Sequence, residues 1–109
     1  MSALALFQGT LDILVLQALS HGPRHGYGVS RFIREHSNET FRILDGALYT
    51  SLHRMEERGW VASEWGISAK GKRAKFYQLT RAGRRALKSE AQNWSRYVAA
   101  VGGVMKATS

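Results

Sequence analysis

The fold of this chain is decided by residues 45–80, which read DGALYTSLHRMEERGWVASEWGISAKGKRAKFYQLT. Leu48, Leu52 and Met55 recur there at spacings of four and three, which places them on one apolar face of a helix. Asp45 stands before this run and can cap the helix, because its carboxylate can accept hydrogen bonds from the free N–H groups of the first turn. The spacing therefore predicts an amphipathic helix that begins at Asp45.

A basic hairpin follows this helix at once. Gly59 ends the apolar run, and residues 60–65 and 74–79 are rich in residues that favour β-strands. The connection between the two segments carries four cations, namely Lys70, Lys72, Arg73 and Lys75. A helix with small polar residues on its outer face fits the major groove of a duplex, and a basic loop suits its phosphates. This order of elements predicts a winged helix-turn-helix, with mainly α structure and one small β-hairpin.

The composition is that of one small domain with a polyanionic partner. The chain has 109 residues, of which 44% are hydrophobic, which is enough for a packed core. The formal net charge of +8 favours DNA, RNA or an acidic membrane face as a partner. The absence of cysteine excludes disulfides and thiolate metal sites.

The positive charge is unevenly distributed. Residues 66–88 hold eight of the sixteen basic residues and no Asp or Glu. Most runs of charge are solvated faces that keep a protein soluble. Here the run coincides with the loop of a hairpin, where cations have no intramolecular reason to cluster, so phosphate binding is the favoured interpretation.

Two further helices are predicted before residue 45. The first begins with Thr10 as its N-cap and continues to Leu19, and it is apolar nearly all round. Such a helix must be covered on several sides. One small domain could do this alone, but a second subunit would do it more easily, and Leu14 is assigned to that interface. The second helix is predicted over residues 27–37.

The last helix carries the clearest long-range pattern in the chain. Thr80 can cap it, and its apolar residues are spaced four, three, four, three and four, which is a heptad seam. Those residues are Leu87, Ala91, Trp94, Val98, Val101 and Met105. The same helix from a second copy is the expected partner, although the seam could instead pack on its own domain. Gly102 and Gly103 weaken the pattern, and fraying after Val101 is expected.

These features predict two parts, a DNA-binding domain over residues 1–79 and a dimerisation helix over residues 80–109. On the first part, Ala47, Thr50, Ser51 and Arg54 are expected to face outward from the helix after Asp45. Tyr49 and His53 are placed on its flank. Small and hydroxyl side chains allow close approach to base edges, and arginine reaches bases or phosphates. An ordinary amphipathic surface helix would show the same pattern, and the hairpin behind it favours the DNA-binding interpretation.

Other classes of function find no support in the sequence. The glycine-flanked loop at residues 66–73 lacks the spacing of a nucleotide-binding P-loop. His21 and His25 are separated by a turn and have no carboxylate cluster near them, so no metal or other cofactor is expected. No nucleophile, base and orienting acid come together, which argues against an enzyme. The longest apolar stretch, residues 11–19, is too short to span a bilayer, and no basic segment precedes it as in a signal peptide. A cytoplasmic protein without a membrane partner is expected.

Several short motifs together resemble the PadR family of bacterial transcriptional regulators. They are GTLDIL at residues 9–14, HGYG at 25–28, GALY at 46–49, LHRME at 52–56, GW at 59–60 and RAKFYQLT at 73–80, followed by Gly83. The resemblance covers nearly the whole chain, and their common order makes it specific. It implies a dimeric repressor-like protein that reads a palindromic operator, with residues 45–58 as the recognition helix and 70–75 as the wing.

The resemblance also implies a place for an effector. Short members of the family end in one long dimerisation helix, as this chain does, and some members respond to phenolic acids or to flat drugs bound between subunits. Trp94, within NWSR at residues 93–96, is similar to the tryptophan that stacks such ligands. Thr50 stands where many members have proline, so the contact at the start of the recognition helix is expected to differ.

The sequence thus predicts a homodimeric, sequence-specific regulator of transcription, a repressor that binds double-stranded DNA and is released by a small aromatic effector at Trp94. Two alternatives remain open. A non-specific architectural protein would share the positive charge but show little preference among sequences. A winged-helix module for protein interactions would not need the wing cations Lys70, Lys72, Arg73 and Lys75.

Overall fold

The computed structural model describes residues 6–7 and 9–108 and shows four helices with a small antiparallel sheet. The elements are α1 Thr10–Leu19, β1 Arg24–His25, α2 Gly26–His36, α3 Asp45–Glu57, β2 Val61–Ile67, β3 Arg73–Leu79 and α4 Arg81–Lys106. The predicted winged helix-turn-helix of the α+β class is confirmed. Residues 1–5, to which the expectation about a signal peptide partly refers, lie outside the described residues.

The core lies where α1, α2 and α3 meet the base of the hairpin. Helices α2 and α3 each carry apolar residues at helical spacing on one face, and α1 is apolar nearly all round, so all three have surfaces that must leave water. The fully buried side chains include Leu16 of α1, Val29 of α2 and Leu52 of α3. Val61 and Leu79, at the base of the hairpin, complete the cluster. The hairpin is therefore fixed at its base, while its far end reaches beyond the core.

The sheet has the strand order β1-β3-β2, with both pairings antiparallel. The register of the hairpin runs from Val61 opposite Leu79 to Ile67 opposite Arg73. Strand β2 therefore extends two residues past the predicted segment 60–65. The short strand β1 pairs with the middle of β3, and the sequence did not predict it because two residues show no alternation.

Two of the three predicted helix caps differ in the structure, and the cap of α2 was not predicted. Gly9 and Leu44 are the N-caps of α1 and α3, so Thr10 and Asp45 are the first helical residues and not caps. Helix α2 begins one residue earlier than predicted and is capped by His25, whose Nδ1 accepts from the Gly28 N–H at 3.0 Å. Thr80 caps α4 as predicted, since its hydroxyl accepts from the Gly83 N–H at 3.0 Å.

Helix α4 is longer than the two glycines led us to expect. It continues through Gly102 and Gly103 to Lys106, so the predicted fraying after Val101 is wrong. The helix starts against the core, where Leu87 packs, and then extends away from it. Beyond Ala91 its apolar stripe is exposed. Among the described residues, Leu87 therefore packs on its own domain, as the alternative interpretation of the seam expects, whereas the seam residues after Ala91 do not.

One glycine fixes the junction between the hairpin and α4. A Cβ on Gly83 would lie 1.9 Å from the carbonyl oxygen of Trp60, and that oxygen already accepts from the Thr80 N–H at 3.0 Å. We expect Gly83→Ala to lower the free energy of unfolding by about 3 kcal/mol, because the backbone at Trp60, just before β2, must shift. Gly103→Ala, which adds a methyl group in open space within the same helix, should instead raise it by up to about 1 kcal/mol. Urea unfolding at one protein concentration measures both, and equal shifts would contradict this packing.

Candidate nucleic-acid interface

The outer face of α3 carries side chains of the kind that meet a duplex. Leu48, Leu52 and Met55 are buried on the opposite face, as predicted. Ala47, Thr50 and His53 are exposed, as the prediction requires. His53 Nε2 lies 2.8 Å from Glu57 Oε1, one turn further along the same helix. The exposed face therefore carries the small side chains of Ala47 and Thr50 near the start of α3 and the larger His53 nearer its end.

Ser51 does not face outward, and this corrects the prediction. Its side chain is 1% exposed, and its hydroxyl donates to Asp12 Oδ1 at 2.7 Å. Position 51 follows Leu48 by three residues and precedes Met55 by four, so it lies next to both on the buried side of the helix. Arg54 lies at the edge of the outer face and donates to the same carboxylate oxygen. Asp12 was not among the predicted site residues, although a single carboxylate within an apolar helix was the signal available.

The Tyr49 ring packs against the start of α2. A Cβ on Gly26 would lie 2.4 Å from the Tyr49 hydroxyl oxygen, so the absence of a side chain at Gly26 makes room for the ring. The ring is still partly exposed and lines a broad cleft between α2 and the hairpin. Tyr27 lines the same cleft. The HGYG motif thus supplies the N-cap of α2 and leaves room for the Tyr49 ring of α3.

The far end of the hairpin is basic and open to solvent. Lys70, Lys72 and Arg73 are exposed, and none of them pairs with a carboxylate of the described residues. The Arg73 guanidinium lies 4.5 Å from the centre of the Trp65 ring, a cation–π contact that holds it over β2. Trp65 itself is 58% exposed and lines the cleft. The sequence did not single it out, because an isolated tryptophan on a strand usually belongs to a core.

Lys75 differs from the other three wing cations. It lies within β3, opposite Trp65, whereas Arg73 begins that strand and Lys70 and Lys72 lie in the loop before it. Its ammonium lies 4.0 Å from Glu56 Oε1 and 5.8 Å from the centre of the Tyr77 ring, so it is partly neutralised within the chain. Burial raises the pKa of the Tyr77 phenol, which stays neutral beside it. The free charge of the wing is therefore concentrated in Lys70, Lys72 and Arg73.

On α2 and the turn after it, in contrast, arginines lie close to carboxylates. Arg31 Nε donates to Glu35 Oε1 at 2.7 Å, and this hydrogen bond lowers the pKa of the Glu35 carboxyl. Both side chains are exposed, so the pair contributes little to stability. Arg34 is 3.6 Å from Glu39, which also faces Arg42 at 3.6 Å. The unpaired cations of the wing differ in this respect from the paired arginines of α2.

A second candidate surface lies on α4. Trp94, Val98 and Val101 are each more than 40% exposed, and Met105 is 78% exposed. The Trp94 and Tyr97 rings lie 6.0 Å apart at an angle of 21°. Leu14 of α1 is partly buried against the core. The structure thus leaves most of the predicted seam open, with an aromatic pair in its middle.

The described residues include no group of three or more His, Cys, Asp or Glu that could hold a metal ion. His21 packs on Phe32 with ring centres 5.3 Å apart, and His25 caps α2. Both histidines thus have structural contacts within the chain. Within residues 6–7 and 9–108, no helix combines the length and the apolar character needed to cross a membrane.

Comparison with known proteins identifies the family. A profile of the transcriptional regulator PadR-like family matches residues 15–89. The chain belongs to this family. PadR-like proteins regulate transcription and are not enzymes, which agrees with the absence of a catalytic pattern in the sequence.

Solved structures of PadR-like proteins share the fold over nearly the whole chain. A transcriptional regulator from Clostridium thermocellum is 27% identical, with a TM-score of 0.82 over 91% of this chain and 96% of that one. A PadR family regulator from Eggerthella lenta is 31% identical, with a TM-score of 0.77 over 93% and 86%. Bacillus subtilis PadR in complex with operator DNA is 21% identical, with a TM-score of 0.66 over 75% of this chain and 46% of that one. This last likeness concerns the fold.

Proposed function

We propose that this PadR-like protein is a repressor that binds a palindromic operator as a homodimer. The observation that carries the proposal is the pairing of two surfaces, the exposed outer face of α3 and the unpaired cations Lys70, Lys72 and Arg73 on the adjoining hairpin. A helix of this kind reads base edges, and such cations hold phosphates. Bacillus subtilis PadR has the same fold and its structure contains operator DNA, which supports DNA binding by this chain. With DNA as its target, the protein would act in the cytoplasm.

The proposed DNA surface follows the structure and differs slightly from the prediction. It keeps Ala47, Tyr49, Thr50, His53 and Arg54 on α3 and Lys70, Lys72, Arg73 and Lys75 on the wing. It omits Ser51, whose hydroxyl is buried and bonded to Asp12. Lys75 contributes less than Lys70, Lys72 and Arg73 because Glu56 lies near it. Residues 1–79 would form this reading part, and residues 80–109 the dimerisation helix.

The proposed dimer is formed through α4. The stripe of exposed apolar side chains from Trp94 to Met105, over about three turns, is costly in water, and the same stripe on a second copy would cover it. Two reading parts fixed in this way would contact half-sites about one helical turn apart, roughly 34 Å. The seam residues Leu87, Ala91, Trp94, Val98, Val101 and Met105, with Leu14 nearby on α1, are assigned to this interface.

Selection of duplexes from a random-sequence pool tests the proposed function. The wild-type protein should enrich a palindrome, and it should bind the selected duplex at least a thousandfold more tightly than a scrambled duplex of the same composition at fixed salt. Enrichment without a common sequence would favour a non-specific architectural protein. Absence of DNA binding would favour a module for protein interactions.

We also propose that a planar aromatic effector binds beside Trp94. The support is the partly exposed Trp94 and Tyr97 pair in the middle of the proposed interface, where two copies would bring the rings of both subunits together. Trp94→Ala should weaken the binding of planar aromatic compounds and phenolic acids at least tenfold, because the stacking surface is lost. Trp94→Phe keeps an aromatic ring and should retain most of the binding. Equal ligand affinity in all three proteins, measured by titration calorimetry, would exclude this site.

A further inference from the structure

Asp12 links the start of α1 to α3, the proposed recognition helix. Its Oδ1 atom accepts two hydrogen bonds from α3, one from the Ser51 hydroxyl at 2.7 Å and one from Nη2 of Arg54. The Asp12 side chain is 21% exposed, and Ser51 is buried. Helix α1 also packs against α4, so this carboxylate is held by an element that contacts both functional helices. No other carboxylate among the described residues accepts from two side chains of α3.

Arg54 keeps most of its donors free. A guanidinium has five N–H donors in a planar fork, and the bond to Asp12 uses only part of them. The Arg54 side chain is 42% exposed at the edge of the outer face of α3. Its remaining N–H groups can therefore meet a partner while Asp12 holds the other side of the fork. An arginine held in this way loses less rotamer freedom when it binds.

We propose that Asp12 is a positioning residue that fixes the orientation of Arg54, so that Arg54 reads a base edge in DNA. The inference rests on the proposed function and adds a mechanism of specificity to it. Bidentate contact of an arginine with guanine depends on the plane of the guanidinium, and it discriminates against other bases by about tenfold or more. Without Asp12, Arg54 would still attract phosphate, but its plane would no longer be fixed.

The two measurements that separate this role from a structural one are affinity for the selected duplex and affinity for the scrambled duplex. Asp12→Asn should lower the ratio of the two affinities about tenfold. Affinity for the scrambled duplex should stay equal or rise, because a negative charge near the phosphates has been removed. A merely structural role would instead lower both affinities together and leave their ratio unchanged.

A double-mutant cycle tests whether Asp12 acts through Arg54. Arg54→Gln should lower the ratio by a similar factor, and the double variant Asp12→Asn with Arg54→Gln should be no less specific than Arg54→Gln alone. Glu35→Gln is the matched control, since it removes the carboxylate from another arginine pair, and it should leave the ratio unchanged. If the two substitutions lower the ratio independently, so that their fold-changes multiply in the double variant, the proposal is overturned.

Two further arms keep the test decisive. If Asp12→Asn does not fold, Arg54→Lys keeps the charge and the partner but lacks the planar fork, and it should lower the ratio about tenfold. An unchanged ratio in Arg54→Lys would overturn the proposal. If the wild-type protein shows no preference for any duplex, the proposed function itself fails. If the wild type is specific and Asp12→Asn is equally specific, only the role of Asp12 is refuted.

Discussion

Val98→Asp is expected to convert the protein from a dimer to a monomer of 12.2 kDa. Val98 lies in the middle of the exposed stripe on α4 and is 48% exposed. In a symmetric dimer the change acts twice, because each copy loses apolar burial worth about 1.5–3 kcal/mol and places a carboxylate in the interface. Light scattering after size exclusion measures the mass directly.

The same variant should lose most of its affinity for a palindrome. When two reading parts are joined, the second half-site is bound at a high effective concentration, which commonly raises affinity by about 10²–10⁴. The monomer should therefore bind the selected duplex at least a hundredfold more weakly, with a half-site alone bound as before. Ser89→Asp introduces the same charge on the side of α4 away from the stripe, at an exposed position. It should remain a dimer, and a monomeric Ser89→Asp or a dimeric Val98→Asp would refute the assignment of this interface.

Replacing Lys70, Lys72 and Arg73 together by Gln is expected to weaken binding to every duplex. These side chains are exposed and have no ion pair among the residues that the structure describes. Each phosphate contact contributes about 0.9 to the slope of log affinity against log salt, so six contacts in a dimer account for about five. We expect the slope to fall by up to that amount and the affinity at moderate salt to fall by about a hundredfold or more.

A matched variant controls for net charge. Arg81, Arg84 and Arg85 are also exposed cations, at the start of α4, and their replacement by Gln removes the same charge outside the proposed wing. This variant should keep a salt slope close to that of the wild type. Equal loss of slope in the two variants would mean that total charge, and not the wing, determines affinity. That outcome would favour the architectural alternative.

The main elements could be predicted from the sequence because each has a period of its own. Spacings of three and four on α3, alternation in the hairpin and the heptads of α4 each indicate one type of structure. Even there the ends of the elements differ from the prediction. Gly102 and Gly103 cost stability in a helix, yet α4 continues through them, because apolar and helix-favouring residues lie on both sides.

The details of the site depend on neighbours that are distant in the sequence. Ser51 and Asp12 are 39 residues apart, and no local pattern reveals that they are bonded. The seat of Tyr49 on Gly26 and the stacking of Arg73 on Trp65 are likewise products of packing. The sequence could therefore name the helix and the wing but not which hydroxyl or cation remains free to meet DNA. The prediction fails most clearly at Ser51, which is buried although Thr50, the residue before it on the same helix, is exposed.

The most direct test of the central claim is hydroxyl-radical footprinting of the wild-type protein on the selected duplex. A homodimer with two winged reading parts should protect two symmetric half-sites on one face of the DNA, with centres roughly 34 Å apart. Val98→Asp at the same concentration should leave both half-sites unprotected. One continuous protected stretch without symmetry, or protection that does not depend on sequence, would contradict the account.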